Sequence, residues 1–329
     1  MIKNYKTAIV TGASHGIGPF IVRALAKEGM NLVLAARSGE ELEQVATAAD
    51  IRATGVHILT VPTDVTDRDA RNALVNTAER TFGSVDVLVN NAGGDPQREF
   101  HHYTADDVES IIQLNLTGPI ELTRLLLPGM LQRKQGHIVN ISSIGGRVGF
   151  PHTEVYSACK DGLIGFTRVL RADYRTTGVS SSVLILGPIG GAGTGARTLE
   201  EMNLHVSAMG KAFLSPPEAV ASAVLKSIKR DKAEIVIMPG PGRLMKALLD
   251  LFPGMGQMMN QMGGVTPLSL GTMRFLPEDY RVEMAEVNGQ AAVIIRTDGQ
   301  TLLVLTIEVE AEQIQAIRLI ANPEKLARM

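Results

Sequence analysis

The 329 residues include 45% hydrophobic and 20% charged side chains, a mix that supports a globular core and excludes wholesale disorder. A formal net charge of −2 gives no basis for electrostatic capture of nucleic acid. The single cysteine, Cys159, excludes an internal disulfide framework and a cysteine-based zinc site.

In chain order, short apolar runs alternate with longer amphipathic ones. Thr7–Thr11, Asn31–Ala36, His57–Pro62, Val85–Asn90, Gly136–Ile141, Ser181–Leu186 and Glu234–Met238 predict strands. They are rich in Val, Ile and Leu with little polar alternation, as strands covered on both faces are. Between them, Ile17–Glu28, Gly39–Ala53, Asp67–Phe82, Thr104–Arg133, Thr153–Thr177 and Pro217–Arg230 predict helices, with start signals in the Asp-rich 63–69 stretch and at 215–218. Strand and helix in turn imply an α/β fold, a doubly wound parallel sheet with right-handed crossovers. After about Leu244 the pattern changes. A Met-rich segment, 246–264, ends in Gly263-Gly264 before Pro267 and is expected to pack on the first domain or on a partner subunit. Ala291–Arg296 and Thr301–Val309 predict two strands joined at Asp298-Gly299, a strong hairpin signal, and Ile314–Ile320 offers a third. The expected domains are 1–245 and a small β-rich extension, 265–329. No apolar run is long enough to cross a membrane, and Met1–Lys6 lacks the layout of a secretory signal, so a cytoplasmic protein is expected.

Between the first strand and first helix stands Thr11-Gly12-Ala13-Ser14-His15-Gly16-Ile17-Gly18. Glycines there let backbone approach a pyrophosphate, and the helix N-terminus offers free N–H groups to that anion. The second strand ends in Arg37. An unphosphorylated dinucleotide would call for an acid near this point, whereas arginine suits a 2′-phosphate, so NADP is expected rather than NAD. Ser14 and His15 are candidate contacts to the same phosphate; an exposed loop histidine is the other reading of His15.

Tyr156 and Lys160 are four apart on a predicted helix and share a face. A free phenol has a pKa near 10, and a neighbouring ammonium is expected to lower it toward the range of a general acid/base. Ser143 follows the strand at 136–141, at the sheet edge where α/β folds place ligand-binding residues, and its hydroxyl suits a developing oxyanion. Cys159 reads as a small packing residue.

Thr11-Gly12-x-x-x-Gly16-x-Gly18, Asp64-Val65, Asn90-Asn91-Ala92-Gly93, Asn115, Ser143 and Tyr156-x-x-x-Lys160 together resemble the short-chain dehydrogenase/reductase family over about residues 1–245. The resemblance implies a Rossmann-like fold and an oxidoreductase acting on a carbonyl or secondary alcohol. It implies Tyr156 as proton donor or acceptor, Lys160 on the nicotinamide ribose, Ser143 on the substrate carbonyl and Asn115 holding a water of the proton relay. It also implies that Asp64 and Val65 flank the adenine and that Asn90, Ala92 and Gly93 line the adenosine side. Nicotinamide contacts are expected after Leu186, where Pro188, Ile189 and Thr194 are candidates in an unusually glycine-rich loop. The long helices at 104–133 and 153–177 are expected at a two-fold contact, giving a homodimer or homotetramer.

Gly195–Leu214 is expected to form a lid. Its apolar residues suit an apolar substrate or serve only to pack on the core. No metal-ligand set is read from the sequence. The stretch from Val287 to Leu326 resembles the last strands of the SnoaL-like domain attached to some extracytoplasmic-function sigma factors, without the rest of that domain. The expected function is therefore hydride transfer between NADP(H) and a small carbonyl or alcohol substrate. The alternative is a non-catalytic NADP-binding regulatory protein that uses the C-terminal extension for interaction.

Overall fold

The structure, a computed structural model, describes residues 5–96, 98–148, 152–191 and 214–238, and the backbone of four tail strands between 281 and 320. Two compact units divide the chain, Met1–Gly256 and Gln257–Met329.

The first unit holds seven strands: β1 (Thr7–Thr11), β2 (Asn31–Ala36), β3 (Ile58–Pro62), β4 (Val87–Asn90), β5 (Gly136–Ser143), β6 (Val179–Leu186) and β7 (Glu234–Ile237). All pairs are parallel, in the order β3-β2-β1-β4-β5-β6-β7. The order reverses between β1 and β4, the switch point outside which such sheets bind ligands. Both faces are covered, which explains the unbroken apolar runs. Alternate residues of each strand serve opposite faces: Ala8, Val10, Leu32 and Leu34 enter one core, Ile9, Val33 and Ala35 the other. The first core takes α1 (Gly18–Lys27), α2 (Gly39–Ala46) and α8 (Pro217–Lys229) through Ile21, Leu25, Leu42, Val220 and Val224. The second takes α4 (Arg68–Phe82), α6 (Gly118–Arg133) and α7 (Glu154–Tyr174) through Leu74, Leu122, Leu126 and Leu170. Each such fully buried side chain contributes about 1.5–3 kcal/mol.

Helix starts fall where the sequence places them. Asp67 caps α4 by accepting from the Ala70 N–H at 2.6 Å, and Ser38 caps α2. Two expected helices are interrupted. The stretch 39–53 divides into α2 and the one-turn α3 (Ala49–Arg52). The stretch 104–133 runs as α5 (Ala105–Ile112), a π turn (Gln113–Thr117) and α6. Pro119 lacks the N–H that an α-helix would give to the Asn115 carbonyl, and the ladder re-registers, with the Gly118 N–H passing to Gln113.

The second unit contains β8 (Arg281–Val287), β9 (Gln290–Thr297), β10 (Gln300–Glu310) and β11 (Gln313–Ile320) in an antiparallel sheet ordered β11-β10-β9-β8. Pairing of Val287 with Gln290 and Thr297 with Gln300 leaves two residues in each connection, Asn288-Gly289 and Asp298-Gly299. β8 escapes sequence reasoning because Ala285-Glu286 breaks its alternation. The expected lid, the Met-rich segment and Thr194 lie outside the described residues.

Candidate active site

The glycine loop joins β1 to α1 at the switch point. Gly12 and Gly16 have φ of +62° and +63°, which L side chains rarely adopt. A Cβ on Gly12 would stand 2.9 Å from the Ala92 Cα, and one on Gly18 would overlap the Gly12 carbonyl. The Gly16 and Ile17 N–H groups, at the start of α1, make no hydrogen bond among the described residues. This is a cradle of free donors at a helix N-terminus, which fits a dinucleotide pyrophosphate.

Asn91 holds that cradle in place. Its Nδ2 donates to the Thr11 and Gly12 carbonyls, each at 3.0 Å, while the Thr11 hydroxyl accepts from the Asn91 and Ala92 N–H groups at 3.0 Å. Sequence reasoning gave the adenosine role to Asn90 instead. The Asn90 amide faces inward: it donates to Asn140 Oδ1 at 2.8 Å and to the Pro119 carbonyl at 3.3 Å, bridging β4, β5 and α6. Strand alternation sends the last residue of β4 into the core and leaves its neighbour free to tie the loop.

Arg37 is exposed after β2 and makes no hydrogen bond or ion pair among the described residues. Partial burial works against the Asp64 charge, but the Thr66 N–H and hydroxyl, at 2.9 and 2.7 Å, with Arg37 and Arg71 further out, hold its carboxyl below the usual range. His15 Nδ1 lies 2.8 Å from the Ser14 hydroxyl and 3.5 Å from Glu41 Oε2. Val65 is buried in the core shared with Leu74 and Leu122.

Ser143 ends β5, and Tyr156 and Lys160 lie in the first two turns of α7. Two features fix their register. The Ser142 hydroxyl donates to the Lys160 carbonyl at 2.8 Å, and a Cβ on Gly146 would strike the Asp161 N at 2.6 Å. The Ser143 hydroxyl hydrogen-bonds the Tyr156 phenol and accepts from the Gly145 N–H at 3.0 Å. Lys160 Nζ sits over the Tyr156 ring, 5.4 Å from its centroid, and donates to the Ile141 carbonyl at 3.1 Å. A Cβ on Gly93 would lie 3.1 Å from that Nζ and 2.9 Å from Asn115 Oδ1. Gly93 thus keeps open the space before these groups.

The electrostatics differ from expectation. Burial pushes the Tyr156 phenol up to about 12; the Ser143 hydrogen bond opposes this and Asp95 adds to it. Burial also brings Lys160 down to about 8. In this state desolvation is the largest influence on both groups, and the phenol is shifted by burial, Ser143 and Asp95 rather than by the ammonium.

Asn115 is fully buried within the π turn. Its Oδ1 accepts from the Gly94 N–H at 3.2 Å, and its Nδ2 donates to the Gly94 carbonyl at 2.8 Å and to the Ile111 carbonyl at 3.0 Å. The carboxamide therefore positions the loop after β4, with both its N–H groups committed to carbonyls. Pro188 and Ile189 lie after β6, where the Pro188 carbonyl accepts from the Ser215 N–H and Gly190 donates to the Ser215 carbonyl. Cys159 is buried. Glu99, His101 and His102 bring three ligand-type atoms within 4.8 Å of one another on the partly exposed turn after this loop. No helix among the described residues is long and apolar enough to cross a membrane.

A family model described as short chain dehydrogenase matches residues 6–202. The ketoacyl reductase HetN of Nostoc sp. is 39% identical over 252 residues, covering 77% of this chain and 84% of that protein. An uncharacterised oxidoreductase of Staphylococcus aureus is 32% identical over 239 residues, 71% of this chain and 97% of its own. Among solved structures, a metagenomic short-chain oxidoreductase in complex with NADP has a TM-score of 0.60 at 30% identity, covering 71% of this chain and 97% of its own. An actinorhodin polyketide ketoreductase variant with NADPH has a TM-score of 0.65 at 31% identity, covering 74% and 99%.

Proposed function

The chain belongs to the short-chain dehydrogenase/reductase family and is an NAD(P)-dependent oxidoreductase; on that premise we propose that it uses NADP(H) to interconvert a carbonyl and a secondary alcohol, with Tyr156 as general acid/base. The carrying observation is the joining of Ser143, Tyr156 and Lys160 at the C-terminal edge of β5, by one hydroxyl–hydroxyl hydrogen bond and one ammonium over one ring. The exposed Arg37 and the NADP and NADPH in the similar structures support the phosphorylated cofactor.

The bound nicotinamide supplies or accepts the hydride. The chain's own groups do the rest. The glycine cradle and the start of α1 bind the pyrophosphate, and Arg37 the 2′-phosphate. Ser143 donates to the substrate oxygen and stabilises charge there. Tyr156, kept protonated at neutral pH by burial, gives its proton to the same oxygen, which suits the reductive direction. Lys160 in its charged form offers donors to a ribose hydroxyl beside Tyr156. The outer faces of α5, α6 and α7, which cover the expected 104–133 and 153–177 helices and where Ile112 and Val169 stand exposed, are read as the contact with a second copy.

The test is turnover of NADPH with a panel of ketones, followed by nicotinamide absorbance in wild type and Tyr156→Phe. Turnover that disappears in the variant is the expected result. Tight cofactor binding with no turnover on any ketone or secondary alcohol would overturn the enzymatic reading.

A further inference from the structure

Glu99, His101 and His102 stand at the short 3₁₀ turn Phe100–His102, in the connection between β4 and α5. None of them has a part in the dinucleotide or carbonyl chemistry. A 3₁₀ helix has three residues per turn, so residues i and i+3 fall in one row. Glu99 and His102 are such a pair, and the His102 N–H donates to the Glu99 carbonyl at 2.9 Å. Both imidazoles converge on one carboxylate oxygen. The His101 Nε2 lies 3.5 Å from Glu99 Oε2, and the His102 Nε2 lies 3.8 Å from the same atom. One ligand-type atom of each residue is within 4.8 Å of the other two.

These separations exceed those of a well-formed N–H···O hydrogen bond, about 2.7–3.2 Å. They are close to the spacing a shared ion imposes. Zinc holds nitrogen and oxygen ligands at about 2.0–2.2 Å in a tetrahedral shell, which places neighbouring ligand atoms roughly 3.3–3.6 Å apart. Both histidine side chains are exposed, so small rotations close the difference.

The backbone of the turn is fixed on both sides. The Arg98 N–H donates to the Tyr103 hydroxyl at 3.4 Å, and the Arg98 guanidinium lies 4.9 Å from the centroid of that ring. Thr104 and Asp107 cap α5 reciprocally. Arg98, the nearest cation in sequence, is taken up by Asp107 at 2.9 Å and leaves the Glu99 carboxylate to the imidazoles. The other charges acting on Tyr103, Asp95 and Glu154, are acidic, which favours a cation at this turn. Two imidazoles with one carboxylate suit a borderline-soft divalent ion, whereas calcium and magnesium take shells of oxygen. We propose that Glu99, His101 and His102 form a binding site for a divalent transition-metal cation of the zinc type, with water completing its shell.

The experiment is isothermal titration of zinc chloride into the full chain, freed of metal by chelation and dialysis, at about pH 7.5, where imidazole is largely neutral as ligation requires. Wild type is compared with His101→Gln/His102→Gln, with Glu99→Gln, and with His57→Gln as an exposed histidine outside the turn. The expected result is one zinc ion per chain, bound roughly a hundredfold or more weakly by the double variant, since even outer-shell partners contribute about 10–100-fold to metal affinity. Glu99→Gln should weaken binding less, and His57→Gln should leave it unchanged. Zinc should also raise the melting temperature of wild type and not of the double variant, because a ligand of the native state stabilises it. Equal melting temperatures of the metal-free proteins check the fold. No saturable binding by wild type, or equal binding by the double variant, would overturn the proposal. Equal affinity for magnesium would overturn its imidazole character, and one ion per two chains would replace it with a site shared between copies. No cofactor or ketone enters the titration, so failure of the oxidoreductase reading shows separately in the NADPH assay.

Discussion

Lys160 Nζ lies over the face of the Tyr156 ring, 5.4 Å from its centroid, and spends a hydrogen bond on the Ile141 carbonyl. The two residues are thus stacked rather than ion-paired. Burial shifts each toward its neutral form, the phenol up to about 12 and the ammonium down to about 8.

Tyr156→Phe should lower turnover by ~10²–10⁴-fold, the usual contribution of general acid–base catalysis, with little change in NADPH affinity. Steady-state rates and fluorescence titration of NADPH check this. A rate near wild type would show that another group supplies the proton.

The Lys160 shift predicts a pH dependence of stability in the cofactor-free protein. A folded-state pKa of about 8, below the ordinary lysine value, means that between about 8 and 10 the unfolded chain binds more protons than the folded one. Stability from this group therefore rises with pH across that window. Urea unfolding at pH 8 and pH 10 should show wild type gaining relative to Lys160→Met; a constant difference would refute it.

Arg37→Asp should weaken NADP binding by ~10–100-fold, in line with loss of charge-assisted hydrogen bonds, and should improve NAD. A carboxylate repels the 2′-phosphate and accepts from a bare ribose. Measured kcat/KM for both cofactors decides it, and an unaltered preference would leave Arg37 a solvated surface residue.

Asn91→Ala removes both donors from the Thr11 and Gly12 carbonyls. An unsatisfied buried acceptor costs about 1–3 kcal/mol, so thermal stability should fall and NADPH should bind more weakly. Wild-type affinity in a destabilised protein would limit Asn91 to a structural role.

Much of this was legible in the residues. The apolar runs that became β1 to β7, the glycine loop at the β1–α1 turn and the four-residue spacing of Tyr156 and Lys160 are local patterns, and local patterns survive folding when both sheet faces are covered. The hairpin at Asp298-Gly299 was readable for the same reason, since a two-residue turn is specified by its own chemistry. Other assignments depended on partners distant in sequence. Which of Asn90 and Asn91 faces the core follows from where β4 meets β5 and α6. The π turn follows from Pro119 within a helix that otherwise reads as continuous.

Strand–helix alternation, the positions of the glycines and the identities of Ser143, Tyr156 and Lys160 are local properties, readable residue by residue. What surrounds these groups is set by segments far apart in the chain. Desolvation depends on everything packed against a group, so the burial that sends Tyr156 up and Lys160 down could not be read from the spacing of two residues. The commitment of Asn115 to Gly94, 21 residues away, likewise required the folded loop and helix to meet.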